Sequence, residues 1–195
     1  MIELLKTQNS FSDQTFDSLD LSDFSLIGKE FEGCIFLKCN LTSSEFRKSR
    51  FIDCVFDHCD LSNAQIVGST WRGTTFKDSK LVGINWAVAS AIAHLGFKKC
   101  NLNYSIFTGV DLRKSEIRDC VAKEADFADA NLAEADCQGT DFIAARFANT
   151  NLSKADFRRA INYSIRVGEN KVNKAHFSLP EATLLLHGLD IILEE

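Results

Sequence analysis

Every fifth residue from Phe11 to Trp86 is large and apolar: Phe11, Phe16, Leu21, Leu26, Phe31, Phe36, Leu41, Phe46, Phe51, Phe56, Leu61, Ile66, Trp71, Phe76, Leu81 and Trp86. Large apolar types make up 63 of the 195 residues. Sixteen successive hits would then arise by chance with a probability on the order of 10⁻⁸. A strict five matches neither an amphipathic helix, with its period of about 3.6, nor an alternating strand, with its period of two. The chain must instead repeat one short bent unit many times, which makes it a solenoid.

The phase slips once. After Trp86 the next clear centre is Phe97, eleven residues on, so residues 87–96 hold one more unit, centred on Ile92, plus one inserted residue. The fives resume through Phe97, Leu102, Phe107, Leu112, Ile117, Ala122, Phe127, Leu132, Cys137, Phe142, Phe147, Leu152 and Phe157, and fourteen of the sixteen Phe occupy centres. From Cys34 to Ser79, and again from Cys100 to Ala160 apart from Val110, the residue two before each centre is small: Cys34, Cys39, Ser44, Ser49, Cys54 and Cys59 begin the first series, and Cys100 and Ser105 the second. A small and a large residue two apart, both pointing inward, describe a short extended segment followed by a turn. The other three positions of each unit are mostly polar or charged and face water.

Ala125-Asp126-Phe127-Ala128-Asp129, Ala130-Asn131-Leu132-Ala133-Glu134 and Ala155-Asp156-Phe157-Arg158-Arg159 resemble the A(D/N)LXX unit of the pentapeptide-repeat family. The resemblance covers residues 11–160. It implies an all-β fold, a right-handed quadrilateral β-helix with four pentapeptides per coil, and a short C-terminal helix. The columns Phe11/Phe31/Phe51/Trp71, Phe16/Phe36/Phe56/Phe76 and Leu21/Leu41/Leu61/Leu81 keep their chemistry every twentieth residue, as stacked coils require. About seven and a half coils at roughly 4.8 Å each give a rod about 36 Å long. Such a rod has two open ends, where unpaired backbone must be covered. Residues 1–10 are expected to cap one of them, and residues 161–195 to carry an imperfect last coil, a helix and a dimerisation tail at the other.

In that last stretch Asn162 falls at the next centre, while Val167, Val172 and Phe177 stay in phase. Ser178-Leu179-Pro180-Glu181 reads as a capping box for a helix over about 179–187, closed by Gly188. Leu184, Leu185, Leu186, Leu189, Ile191, Ile192 and Leu193 give this tail more apolar surface than a lid needs, which points to a homodimer built tail to tail. The FSLPEA segment and the Leu-Asp-Ile run after it resemble the tail of the gyrase-protecting group of pentapeptide-repeat proteins, which includes albicidin-resistance, quinolone-resistance (Qnr) and microcin-immunity members. That resemblance implies tail-to-tail dimers shaped like B-DNA, with DNA gyrase or topoisomerase IV as partner. The long extruded loops of several Qnr members have no counterpart here beyond the single inserted residue.

Catalytic and metal chemistry find little support. Cys34, Cys39, Cys54, Cys59, Cys100 and Cys120 occupy the small inward position and Cys137 a centre, so all seven read as packing groups. His58, His94, His176 and His187 show no ligand spacing, and no nucleophile elbow, phosphate loop or dinucleotide fingerprint is present. No enzyme activity, metal or cofactor is expected. A net charge of −5 argues against direct contact with nucleic acid or an anionic membrane. The opening Met1-Ile-Glu-Leu-Leu-Lys lacks the apolar stretch of a signal peptide and no run is long enough to span a bilayer, so a cytoplasmic location is expected.

The outer acids are the remaining candidate for function. Asp13, Glu30, Glu32 and Asp53 share one side of the four-sided rod, and Glu124, Asp126, Asp129, Glu134, Asp136 and Asp141 form a band around it. A B-DNA duplex of the rod's length carries roughly 20 negative charges, and net −5 is far sparser. Charge alone does not carry mimicry; the rod's shape and the family resemblance imply a DNA-mimicking binder of a topoisomerase that protects it from an inhibitor or toxin. The alternative is a pentapeptide-repeat scaffold for an unrelated protein.

Overall fold

The computed structural model of the chain describes residues 1–189 and residue 191. It is an all-β parallel solenoid of about eight turns. Four pentapeptides make one coil, with centres Phe11, Phe16, Leu21 and Leu26 marking faces one to four of the first. On face one the strands Ser10–Ser12, Glu30–Glu32, Arg50–Ile52, Thr70–Arg72 and Ala91–Ala93 stack in parallel. On face two Thr15–Asp17, Ile35–Leu37, Val55–Asp57, Thr75–Lys77, Gly96–Lys98 and Glu116–Arg118 do the same. Single bridges such as Asp20 to Asn40 to Asp60 to Lys80 tie face three, and Ser25 to Glu45 to Gln65 tie face four.

The expected columns are the core. Phe16, Phe36, Phe56 and Phe76 stack with ring centroids 4.8, 4.5 and 5.1 Å apart. Phe31, Phe51 and Trp71 form a second stack, and edge-on contacts such as Phe51 to Phe56 at 5.6 Å lock the two together. Each unit turns on its last residue, which takes a left-handed conformation at Asp13, Ser18, Asp23 and onward. A non-glycine residue pays about 1 kcal/mol or more for this, and the ladder bonds on either side offset it. At Gly73 and Gly139 the carboxylates of Asp53 and Asp119, one coil back, lie where a Cβ would stand.

The small inward position does more than fit. Ser79 Oγ accepts the backbone N–H of Cys59 at 2.9 Å and donates to Lys77 and Phe56 carbonyls at 2.6 and 3.3 Å. Cys59 Sγ, one coil back, receives the N–H of Cys39 at 3.4 Å. Ser49, Cys120 and Thr140 do the same for the amides of Lys29, Cys100 and Cys120, so a serine, threonine or cysteine two before a centre can relay a corner amide buried between coils. Ser79→Ala should cost about 1–3 kcal/mol because it orphans the Cys59 amide, read as a lowered chemical-denaturation midpoint.

The inserted residue is absorbed at one corner. Trp86–Val88 form a 3₁₀ turn, with Asn85 Oδ1 accepting from Ala87 N at 3.1 Å, and the register grows from twenty to twenty-one: Trp71 pairs with Ile92 and Phe76 with Phe97. Placing the extra residue at a corner keeps every later side chain on its proper side. Its cost is local. Among the described residues no hydrogen bond joins 91–94 to 111–114, Ile92 is only half-buried, and a cleft of about 250 Å³ opens between Ile92, His94, Asp111 and Arg113. The buried Ser115 hydroxyl, which the relay would aim at Ile92, has no partner.

Both ends are covered. A helix, Ile2–Thr7, buries Leu5 over the first coil. At the other end His176–Phe177 pair with Asp156–Phe157, and Phe177 stacks on Phe157 at 5.4 Å. The pattern of fives and the expected capping box both give way here. Asn162 is exposed and donates to Asp141 at 2.8 Å, and Tyr163 and Ile165 turn inward in place of Asn162 and Val167. The capping box does not form: the helix is a 3₁₀ segment, Glu181–Gly188, that starts after Pro180 with no side-chain cap. Ser178 Oγ instead accepts the N–H of Arg159 at 2.8 Å, an amide at the solenoid's edge with no further coil to bond. Gly188 is the last helical residue, not the closing one, and Leu189 N–H caps to Leu186 at 2.9 Å.

Candidate functional site

Among the described residues the clefts are small, about 250 and 270 Å³ in two of them, so the rod's outer side chains are what a partner meets. The two acidic groups differ sharply. On face one Asp13, Glu30, Glu32 and Asp53 are all exposed, and among the described residues the one ion pair they make is Glu30 with Arg50 at 3.9 Å. Asp17, Asp20, Asp23, Asp57 and Asp60 extend the acidic surface over faces two and three, giving 11 acids to 6 bases in residues 1–60.

The second group is largely neutralised. Asp136 meets Arg118 at 3.0 Å, Asp126 meets Arg146 at 3.2 Å, Glu124 meets Lys123 at 3.7 Å, and Glu134 lies between Lys114 at 4.0 Å and Lys154 at 3.7 Å. Asp141 accepts from Ile143 N and Asn162, and Asp129 has no ion-pair partner among the described residues. Apart from Lys123, the bases come from neighbouring coils, at spacings near twenty. Reading charge along the chain missed them; reading it by columns of twenty would have found Lys114/Glu134/Lys154 and Asp126/Arg146. The coils beyond the band, residues 142–180, carry 7 bases and 2 acids. The rod is therefore acidic at its N-terminal end and basic near its C-terminal end.

The thiols are interior. Cys34, Cys39, Cys54, Cys59, Cys100, Cys120 and Cys137 are at most 2% exposed. Hydrogen bonding from Cys54 draws Cys34 down to about 7, as Cys59 does for Cys39, while burial pushes Cys137 up. Access decides reactivity before acidity does. A thiol reagent should therefore label none of the seven rapidly in the native state and all of them in denaturant; fast native labelling would contradict the inward assignment. Asp57, His58 and Asp78 bring ligand atoms within 4.8 Å of one another on the surface, where His58 Nδ1 lies within hydrogen-bond distance of Asp57 Oδ1 at 2.6 Å.

The tail divides into two parts. Leu184 and Leu185 pack against the core with Val172 and Phe177, and so serve as the lid. Leu186 is half-buried, and Leu179, Leu189 and Ile191 are exposed. Ile192 and Leu193 lie outside the described residues. A tail-to-tail contact would therefore use Leu189 and Ile191. Leu189→Glu with Ile191→Glu should abolish such a dimer in sedimentation without lowering the melting temperature. Leu184→Glu should lower the melting temperature itself. No helix among the described residues is long and apolar enough to cross a membrane.

Profiles of pentapeptide repeats match residues 29–107, described as a pentapeptide repeat region, and residues 125–161, described as pentapeptide repeats. Two trypsin-treated variants of QnrB1, a plasmid-mediated fluoroquinolone resistance protein, superpose on the chain. The first has a TM-score of 0.66 and 23% identity, covering 95% of this chain and 90% of that one. The second has a TM-score of 0.63 and 21% identity, covering 95% and 92%. HetL, a pentapeptide repeat protein involved in heterocyst differentiation regulation from the cyanobacterium Nostoc sp. strain PCC 7120, has a TM-score of 0.47 and 18% identity over 90% of each chain. Among curated proteins none matches significantly.

Proposed function

Because the chain belongs to the pentapeptide-repeat family, we propose that it is a non-enzymatic binding rod whose partner is a type II topoisomerase, DNA gyrase or topoisomerase IV. On this reading it occupies part of the enzyme's DNA-binding surface and protects the enzyme from an inhibitor or toxin. One observation carries the proposal: the N-terminal coils present an acidic surface on three adjacent faces of the rod, on which, among the described residues, only Glu30 and Asp60 pair with a Lys or Arg, namely Arg50 and Lys80. Asp and Glu held at the coil repeat of roughly 4.8 Å can meet the basic groups that otherwise hold a phosphate backbone. The rod fold shared with QnrB1, a fluoroquinolone resistance protein, is compatible with this reading, and the resemblance of the tail sequence supports it.

The test is a gyrase supercoiling assay containing a fluoroquinolone, titrated with this protein. Restored supercoiling at low protein and weak inhibition at high protein are expected, since net −5 makes a poor competitor for free duplex. Absence of binding, protection and inhibition together would leave the second reading, a scaffold for a different protein. That reading draws on the basic C-terminal coils and the self-neutralised band, which a uniform duplex mimic would lack.

A further inference from the structure

Face four differs from the other three. Its outward residues in the third to fifth coils are Gln65, Val67 and Gly68; Asn85, Ala87 and Val88; and Ile106, Thr108 and Gly109. No other face has three successive coils free of Asp, Glu, Lys and Arg. Val67 is 53% exposed, Val88 39% and Ile106 38%. The apolar strip is bounded by opposite charges. Glu45, Arg47 and Lys48 stand one coil before it and Asp126 and Asp129 one coil after it; Arg47 pairs with Glu45 and Asp126 with Arg146, which leaves Lys48 and Asp129 exposed with no ion-pair partner among the described residues.

We infer that face four is a self-association surface, on which a second copy of this chain docks side by side and antiparallel, with the fourth coil on the two-fold axis. Rotation about an axis along that coil's face-four segment reverses the order of coils and leaves each column of side chains facing its own counterpart. The second coil of one copy then meets the sixth of the other. Lys48 faces the second copy's Asp129, a pair that occurs twice; Glu45 and Asp126 also face each other, each already paired within its own chain, to Arg47 and Arg146. Val88 meets its own symmetry mate, and Gly68 faces Gly109, so nothing holds the two surfaces apart.

The third and fifth coils supply a knob and a hole. Ile106 faces the second copy's Gln65. There a depression of about 270 Å³ is lined by Asn63, Gln65, Val67, Gly83, Asn85 and Val88. The same insertion happens twice, as an isologous contact requires. Face three offers no such match, because Lys80 interrupts it, and face one carries Arg72 and then Asp111 and Arg113 on either side of its own cleft. One narrow face buries less than the ~800 Å² per partner of a stable interface, so the association is weak and concentration-dependent. It involves neither Leu189 nor Ile191, and it stands whether or not the topoisomerase reading does.

Sedimentation of the full chain across micromolar to millimolar concentration tests it. Wild type should self-associate. Ile106→Asp should weaken this by about tenfold or more, as should Lys48→Asp or Asp129→Lys alone. The double swap Lys48→Asp with Asp129→Lys should restore it, because the pairing is reciprocal. Val88→Cys treated with oxidised glutathione should give a disulfide-linked dimer, the native thiols being buried, and Ile35→Cys on face two should not. All these residues are exposed, so unchanged circular dichroism serves as the control. A chain that stays monomeric throughout would overturn the inference and leave face four to a foreign partner. So would a dimer lost only with Leu189→Glu and Ile191→Glu, or a double swap that fails to recover.

Discussion

Phe56→Asp should abolish the folded rod. Phe56 is fully buried, stacked between Phe36 at 4.5 Å and Phe76 at 5.1 Å, with Phe51 edge-on and Trp71 tilted against it. Removing the ring alone costs about 3–5 kcal/mol, and a carboxylate in its place adds an unpaired buried charge. That sum rivals the whole stability of a typical domain, about 5–15 kcal/mol. The expected result is insoluble protein or a lost β signal in circular dichroism. Phe56→Leu, which keeps most of the volume, should stay folded with a lowered melting temperature. An unchanged melting temperature in Phe56→Asp would refute the assignment of the columns to the core.

The second large effect is expected at the acidic end. Reversing Glu30 and Glu32 to Lys, together with Asp13 and Asp53, changes the charge of face one by eight units without touching the interior, since all four side chains are exposed. If the rod docks through these acids, topoisomerase affinity should fall by about a hundredfold at low salt, and the salt dependence of binding should flatten. Reversing Asp126, Asp129, Glu134 and Asp136 should weaken binding less, because three of these already spend their charge on Arg146, Lys114, Lys154 and Arg118. Equal losses from the two sets would mean that charge acts along the whole rod. No loss from either would remove electrostatics from the account.

What the sequence reveals of this fold follows from how each feature is encoded. Phe16, Phe36, Phe56 and Phe76 are legible because a stacked coil makes the same demand on the residue twenty positions later. The relay through Ser79 and Cys59 was half legible: small size shows in the sequence, but the bond to a corner amide shows only when coils are stacked. The ion pairs that neutralise the band were hidden because partners such as Arg118 and Asp136 lie eighteen residues apart and belong to different coils. The tail failed for another reason. Ser178 carries a good capping signal, yet the unpaired amide of Arg159 at the rod's edge competes for its hydroxyl and wins. Local rules govern helix starts only where no nearby edge is short of an acceptor. The inserted residue was located to within ten positions, while its consequence, the broken ladder beside Ile92, belongs to the stacking of coils.

The central claim is that this rod takes a place on a topoisomerase that DNA would otherwise fill. Equilibrium binding of the full chain to intact gyrase, measured with increasing linear duplex DNA, tests it most directly. Competition is predicted: bound protein should fall as duplex rises, more steeply for the charge-reversed face-one variant than for wild type. Binding that persists at saturating duplex, or no binding at any concentration, would contradict the account.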